Sequence, residues 1–169
     1  MTKPVPDAEA LLARLAASMR ASVTRDTALI GIHTGGVWIA ERLHGMLGLA
    51  QPLGTIDVSF HRDDYGSRGL HAKVRPSEIP FDVVDADIVL VDDVLYTGRT
   101  IRAAMNELFD YGRPNSIRLA ALVDRGGRQL PISAQFLGGE VALDGAEQIE
   151  LTRNDAGQLA FKLNRAGDA

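Results

Sequence analysis

Short apolar runs alternate along the chain with amphipathic stretches, and the alternation predicts the order of elements. Compact runs of mostly branched apolar residues, typical of buried strands, occupy 28–33, 88–92 and 117–123, and apolar residues that alternate with polar ones predict a further strand over 53–60. Stretches with apolar residues at helical spacing, typical of surface helices, occupy 8–22, 37–49 and 99–111. Strands that alternate with helices predict an α/β fold, in which a central and mostly parallel sheet is flanked by helices.

Local signals place several element ends. Asp7 is a suitable N-cap for the first helix, whose predicted apolar face carries Leu11, Leu12, Leu15 and Met19. The sequence Gly112-Arg113-Pro114 is expected to end the third helix. Near the end of the chain, short strands are predicted over 134–137, 148–151 and 159–163, and the last two form a hairpin around residues 153–157.

Composition narrows the class of protein. The chain has 169 residues, of which 46% are hydrophobic, and one domain with one core is expected. It has no cysteine, which excludes disulfides and thiolate metal sites. The first residues lack the apolar core of a signal peptide, and no apolar run reaches about 18 residues, so we expect a soluble cytoplasmic protein. The net charge is −4 without a basic block, which gives no sign of a nucleic-acid-binding face.

The segment from residue 88 to residue 100 carries the most specific chemistry. A buried strand is followed by Asp92 and Asp93, and then by Thr97-Gly98-Arg99-Thr100 at the start of a helix. In open α/β sheets ligands bind beyond the carboxyl ends of the strands, and a helix N-terminus suits a phosphate. Carboxylates repel a phosphate, but they suit sugar hydroxyls or a hard cation. The combination indicates a phosphorylated ribose, although two acids after a strand can also act as a simple helix cap.

These residues resemble a known family. Asp92-Asp93 after four apolar residues, with Thr97-Gly98-x-Thr100 behind them, is similar to the signature of the type I phosphoribosyltransferases, which bind phosphoribosyl pyrophosphate. The longer string over 91–100 resembles the PyrR branch, whose members regulate pyrimidine operons and act as uracil phosphoribosyltransferases. Further segments agree with that branch in the family's order: 31–34, 61–64 and 122–132.

The resemblance implies a fold, a reaction and partners. We expect the type I phosphoribosyltransferase fold over 1–169, with a hood over the active site at about 61–80. Uracil and phosphoribosyl pyrophosphate would give UMP and pyrophosphate with Mg²⁺. The family also binds leader RNA of pyrimidine genes when UMP or UTP is present, and its members form homodimers or higher homo-oligomers.

The resemblance also implies the roles of individual residues. The catalytic residues are expected to be Asp92, Asp93 and Arg62, with the two aspartates on the ribose hydroxyls. The ribose and 5′-phosphate are expected to be bound, together with those aspartates, by Val94, Leu95, Tyr96, Thr97, Gly98, Arg99 and Thr100. Pyrophosphate is assigned to Thr34, Gly35, Gly36 and Arg62, and the metal to Asp63 and Asp64. The uracil side is assigned to Val123, Asp124, Arg125 and Arg128, largely through backbone groups.

Two departures from the family keep alternatives open. Gly35 stands where the family usually has an arginine, which favours a nucleotide-sensing regulator with little or no catalysis. In that account an arginine at position 35 would raise turnover. The first helix carries Ala13, Ala16 and Ala17, and residues 138–147 contain no Lys or Arg, so we predict weak or absent leader-RNA binding. Purine transfer is disfavoured because the longest match is to the pyrimidine branch.

Overall fold

A computed structural model describes residues 4–59 and 76–167 of the chain. The helices are α1 (Ala8–Arg20), α2 (Gly35–Leu47) and α3 (Arg99–Phe109). The strands are β1 (Ala28–Ile32), β2 (Gly54–Ile56), β3 (Asp87–Leu95), β4 (Ser116–Asp124), β5 (Phe136–Glu140), β6 (Glu147–Arg153) and β7 (Leu159–Arg165).

The first five strands form one parallel sheet in the order β2-β1-β3-β4-β5. Strand β3 is therefore central, with Leu90 beside Ile30 of β1 and Val91 beside Ala120 of β4. Strands β6 and β7 pair antiparallel and form the predicted terminal hairpin. The predicted α/β fold, a parallel sheet flanked by helices, is confirmed.

Both faces of the sheet are buried, which explains the continuous apolar runs. Side chains alternate across β3, so Val89 and Val91 join a cluster with α1, α2 and the hairpin, whereas Ile88 and Leu90 join a cluster with α3. The predicted face of α1 is in the first cluster, and its four apolar residues are all buried. Among the described residues no helix is long and apolar enough to cross a membrane.

Several predicted boundaries were wrong by a few residues, each for a packing reason. Strand β3 runs to Leu95 instead of residue 92, because Val94 and Leu95 continue to pair with Val123 and Asp124 of β4. Helix α2 spans residues 35–47 instead of 37–49, so the glycines expected to precede it form its first turn. Helix α3 ends at residue 109 instead of 111, three residues before Gly112, the glycine expected to stop it.

Strand β5 also differs from the prediction, which placed it at 134–137. It spans residues 136–140 and includes two glycines that resembled a loop. A Cβ at Gly138 would lie 2.9 Å from the carbonyl oxygen of Leu11, so this glycine lets α1 approach the strand. The predicted strand over 53–60 is present at residues 54–56, and its last position lies outside the described residues.

Candidate functional site

Polar side chains gather at the carboxyl edge of the parallel sheet, where four neighbouring strands end. His33 and Thr34 follow β1, Asp57 follows β2, Asp92 and Asp93 lie in the last part of β3, and Asp124 ends β4. Because all these strands run in the same direction, residues far apart in sequence meet at one edge. This edge is where a ligand site is expected.

Asp92 and Asp93 are buried at this edge, with 2% and 8% of their surfaces exposed. Each carboxylate accepts a hydrogen bond from the next backbone N–H. Asp92 Oδ1 accepts from Asp93 N at 2.9 Å, and Asp93 Oδ1 accepts from Val94 N at 2.8 Å. These bonds fix the orientation of both side chains, so the two carboxylates are held in place before any ligand arrives.

The first turn of α2 packs against the two aspartates. A Cβ at Gly36 would lie 3.1 Å from Asp92 Cα and would also meet the carbonyl of Val91. A Cβ at Gly35 would lie 2.7 Å from Asp93 Cγ. The two glycines therefore bring the positive end of the helix dipole next to two buried carboxylates, which stabilises their negative charge.

The close approach of Gly35 to Asp93 changes the effect expected of an arginine at position 35. An arginine there was expected to restore a cation to the pyrophosphate subsite and to raise turnover. In the structure any side chain at position 35 collides with the carboxyl group of Asp93. Gly35 is thus matched to the position of Asp93, and an arginine would displace the carboxylate before it reached a phosphate.

A tight turn over Tyr96, Thr97 and Gly98 joins β3 to α3. Gly98 has φ +93°, a left-handed conformation that favours glycine, and directly precedes the helix. Thr97 is buried, and its Oγ1 accepts from Arg99 N at 3.2 Å, while Arg99 is exposed and Thr100 half-buried. The N-terminus of α3 with this turn forms a suitable anion site.

Two residues expected in that loop belong to the strand instead. Val94 and Leu95 pair with β4, and Leu95 is 1% exposed in the core. Their side chains therefore pack within the sheet, and the turn that was predicted to bind phosphate is shorter than expected. The turn proper comprises residues 96–98, which we call the phosphate loop.

The residues assigned to the uracil side divide into different roles. Val123 is fully buried in the core. Arg125 stacks on the ring of Tyr96, with its guanidinium carbon 4.0 Å from the ring centroid, and donates to the Glu147 carbonyl at 3.3 Å. This stacking covers one face of Tyr96.

Asp124 and Arg128 form an ion pair with each other. Arg128 also donates from Nε to the carbonyl of Ile132 at 2.8 Å and from Nη1 to the carbonyl of Tyr96. All three of its side-chain nitrogens thus have acceptors within the protein. Arg128 contacts the phosphate loop directly, which spacing along the sequence did not indicate.

Arg62, Asp63 and Asp64, assigned to pyrophosphate and metal, lie outside the described residues, as does most of the expected hood. In the described part of the chain, no group of three or more His, Cys, Asp or Glu side chains is arranged to hold a metal. The two buried aspartates still fit Mg²⁺, which is usually bound through one or two carboxylates together with substrate oxygens.

Sequence reasoning missed Asp57. This residue is 8% exposed, follows β2 at the same edge, and accepts a hydrogen bond from Ser59 N at 3.0 Å. His33 lies beside it at the end of β1, and the backbone N–H of His33 donates to the Ile56 carbonyl at 2.9 Å. An acidic residue directly after an apolar strand position was the available signal, but the strand was predicted to continue past it.

Comparison with known proteins agrees with this geometry. Residues 3–147 match the phosphoribosyl transferase domain family. The bifunctional protein PyrR of Nitrosococcus oceani is 54% identical over 137 residues, which cover 80% of this chain and 77% of that protein. The bifunctional protein PyrR of Pseudomonas entomophila is 50% identical over 152 residues, which cover 88% of each chain.

Solved structures show a similar fold at low sequence identity. A hypoxanthine-guanine phosphoribosyltransferase from Bacillus anthracis has a TM-score of 0.63 and 16% identity, with 87% of each chain covered. A hypoxanthine phosphoribosyltransferase from Staphylococcus aureus has a TM-score of 0.64 and 17% identity, with 87% of this chain and 81% of that chain covered. At these identities the likeness shows the shared fold alone.

Proposed function

Because the chain belongs to the PyrR family of phosphoribosyltransferases, we propose that it converts uracil and phosphoribosyl pyrophosphate to UMP and pyrophosphate. One observation carries the proposal. Asp92 and Asp93 are buried and oriented at the carboxyl end of the central strand, between the N-termini of α2 and α3. Two anion-binding ends on either side of two carboxylates suit a ribose that has a phosphate at each end.

The proposed transfer of the phosphoribosyl group gives the two aspartates a role. The bond between C1′ and the pyrophosphate oxygen breaks, and its electron pair leaves with pyrophosphate. N1 of uracil bonds to C1′ and loses its proton. Positive charge develops on the ribose ring during this exchange, and the carboxylates of Asp92 and Asp93 are placed to bind the ribose hydroxyls and to stabilise that charge.

The two helix N-termini would bind the two phosphate ends. The phosphate loop and the first turn of α3, including Arg99 and Thr100, would hold the 5′-phosphate. Thr34 with Gly35 and Gly36 would hold pyrophosphate through the backbone of α2. We also assign Arg62 to pyrophosphate, and Asp63 and Asp64 to the metal, on the family resemblance.

Mg²⁺ is proposed as the cofactor. When bound, it would neutralise the pyrophosphate oxygens and so make pyrophosphate a better leaving group. Asp63 and Asp64 would hold the metal together with the phosphate oxygens of the substrate, and the buried Asp92 and Asp93 offer further oxygen ligands of the type that Mg²⁺ prefers.

Uracil would lie beyond the end of β4. The carboxylate of Asp124 is engaged by Arg128, and the guanidinium of Arg125 rests on Tyr96. Because the Asp124 carboxylate is paired and the Arg125 guanidinium is stacked on Tyr96, we expect backbone groups of the segment after Val123 to be the main partners of the base. This supports the expectation that base recognition relies little on side chains.

Assembly, location and domain organisation are proposed as well. Residues 1–169 would act as one phosphoribosyltransferase domain, because α1, α2 and the terminal hairpin share one hydrophobic cluster with the sheet. The family resemblance implies a homodimer or higher homo-oligomer. The substrates are cytoplasmic metabolites, so we propose that the protein acts in the cytoplasm.

The proposed activity is tested by measuring UMP formation from uracil and phosphoribosyl pyrophosphate, with hypoxanthine and guanine as alternative bases. We expect turnover with uracil only, and none after Mg²⁺ is removed with a chelator. Turnover with a purine would overturn the base assignment. UMP binding without any turnover would instead support the nucleotide-sensing regulator with little or no catalysis.

Regulation of pyrimidine genes through leader RNA is the second proposed function, supported by the name "bifunctional" that the PyrR relatives carry. Part of the surface expected to contact RNA lacks cations, although Arg14 and Arg20 are exposed on α1. Ala13 and Ala17 lie on the exposed side of α1, whereas Ala16 is buried, and residues 138–147 contain no Lys or Arg. We therefore still predict weak binding. A gel shift with pyrimidine leader RNA and UMP tests this, and a tight, salt-sensitive complex would contradict it.

A further inference from the structure

We propose that Arg128 is a positioning residue for the 5′-phosphate loop and contacts neither uracil nor pyrophosphate. The inference rests on the proposed function of the site. It deepens that function by assigning the accuracy of 5′-phosphate binding to a residue on a different loop, 32 positions away from Tyr96 in sequence.

Residues 124–132, which we call the buttress, lie against the phosphate loop. The side chain of Arg128 donates to the carbonyl of Tyr96, and the N–H groups of Gln129 and Leu130 donate to the carbonyl of Thr97 at 2.9 Å and 3.2 Å. Two consecutive carbonyls of the phosphate loop are therefore turned toward the buttress.

The direction of these carbonyls decides the direction of the neighbouring N–H groups. In a planar trans peptide the C=O and N–H point to opposite sides. When the Tyr96 carbonyl faces the buttress, the N–H of Thr97 points away from it, and the same holds for the Thr97 carbonyl and the N–H of Gly98. The loop thus turns its donors to one side and its acceptors, which would repel a phosphate, to the other.

Arg128 is itself held rigidly. Its Nη2 pairs with Asp124 at the end of β4, and its Nε donates to the Ile132 carbonyl at 2.8 Å. Asp124 in turn accepts from Gly126 N at 2.8 Å. The planar guanidinium has three fixed partners, so it connects the end of β4, the buttress and the phosphate loop rigidly.

Packing of the buttress on Gly98 completes the contact. A Cβ at Gly98 would lie 3.0 Å from Ile132 Cγ1 and 3.4 Å from Leu130 Cβ. The apolar part of the buttress therefore covers the outer side of the loop, while Arg128 holds its first carbonyl. A change in Arg128 is expected to alter the loop geometry without removing any atom that contacts the ligand.

The test measures which ligands lose affinity. Binding of ribose 5-phosphate, UMP, uridine and pyrophosphate is measured by calorimetry for the wild type and Arg128→Gln. We expect ribose 5-phosphate and UMP to bind about tenfold more weakly, from the loss of one or two oriented hydrogen bonds. Uridine and pyrophosphate should bind as in the wild type. Selective loss for pyrophosphate or for uridine would show direct contact and overturn the inference, as would no loss for any ligand.

Two further variants keep the test decisive. Arg118→Gln is the matched control. The guanidinium of Arg118 also connects two segments, because it donates to the Ser22 carbonyl at 3.2 Å, but it lies near the amino end of β4, away from the site. It should not change any of the four affinities. If Arg128→Gln does not fold, Arg128→Lys is tested. Lysine retains the charge, but its single nitrogen cannot reach all three acceptors that the three guanidinium nitrogens contact, so the variant should show the same ligand selectivity to a smaller degree.

Failure of the inference is distinguishable from failure of the proposed function. A wild type that binds ribose 5-phosphate but forms no UMP refutes the enzyme and leaves the selective effect of Arg128 measurable. A wild type that forms UMP, with an Arg128→Gln variant that binds ribose 5-phosphate equally well, refutes the positioning role alone.

Discussion

Substituting Gly36 by alanine tests the contact between α2 and the central strand. Gly36 lies in the first turn of α2, and its Cα hydrogen faces the backbone of β3. An added Cβ would lie 3.1 Å from Asp92 Cα and 3.2 Å from the carbonyl carbon of Val91. These neighbours are backbone atoms of a buried strand, so they cannot rotate away, and α2 must move instead.

The size of the effect follows from two opposing contributions. Alanine in place of a helical glycine stabilises by at most about 1 kcal/mol. Overpacking against a rigid neighbour costs about 1–3 kcal/mol, and contact with strand backbone places this case near the upper end. We therefore expect Gly36→Ala to lower the free energy of unfolding by about 2 kcal/mol.

Gly45 provides a matched control in the same helix. A Cβ at Gly45 meets no atom within 4 Å, so Gly45→Ala should stabilise the protein by about 0.5–1 kcal/mol. Urea unfolding followed by circular dichroism measures both variants, and UMP formation measures the effect on the site. A Gly36→Ala variant as stable and as active as Gly45→Ala would refute the close contact between α2 and β3.

Two further predictions concern the same helix. Gly35→Ala should lower kcat/KM about tenfold or more, because its Cβ would lie 2.7 Å from Asp93 Cγ and displace that carboxylate; unchanged kinetics would contradict this. Glu9→Gln should lower stability at pH 7, because the hydrogen bond from Arg42 and that from Leu159 N hold the pKa of Glu9 below its usual value of 4.5. The charged form is favoured by folding, so this stabilisation is present above the unfolded pKa and is lost as the pH falls through the folded pKa. Thermal unfolding of the wild type and Glu9→Gln should show a larger difference in stability at pH 7 than at pH 3, and an equal difference at both pH values would refute it.

The order of elements and the position of the aspartates could be predicted because they follow from local pattern. A run of branched apolar residues predicts a buried central strand from local sequence alone. Side chains near the carboxyl end of such a strand lie at the edge of the sheet where ligands bind. The capping of α1 by Asp7 was likewise readable, since its Oδ1 accepts from Glu9 N and Ala10 N.

Contacts between distant segments could not be predicted in the same way. The role of Gly35 depends on how close α2 approaches Asp93, which no local pattern encodes. Arg128 was predicted to lie on the uracil side, and its contact with the carbonyl of Tyr96 was not predicted, because a cation after a strand has the same sequence signal whether it faces a ligand or a carbonyl. Val94 and Leu95 looked like loop residues because β3 continues only through its pairing with β4.

The central claim is that Asp92 and Asp93 serve a phosphoribosyl transfer. It is tested most directly by comparing wild type and Asp93→Asn in UMP formation with Mg²⁺, together with calorimetric binding of ribose 5-phosphate. Asparagine retains the shape but removes the charge, so we predict a fall in kcat of at least about a hundredfold with the fold and phosphate binding retained. An Asp93→Asn variant that turns over at the wild-type rate would contradict the claim.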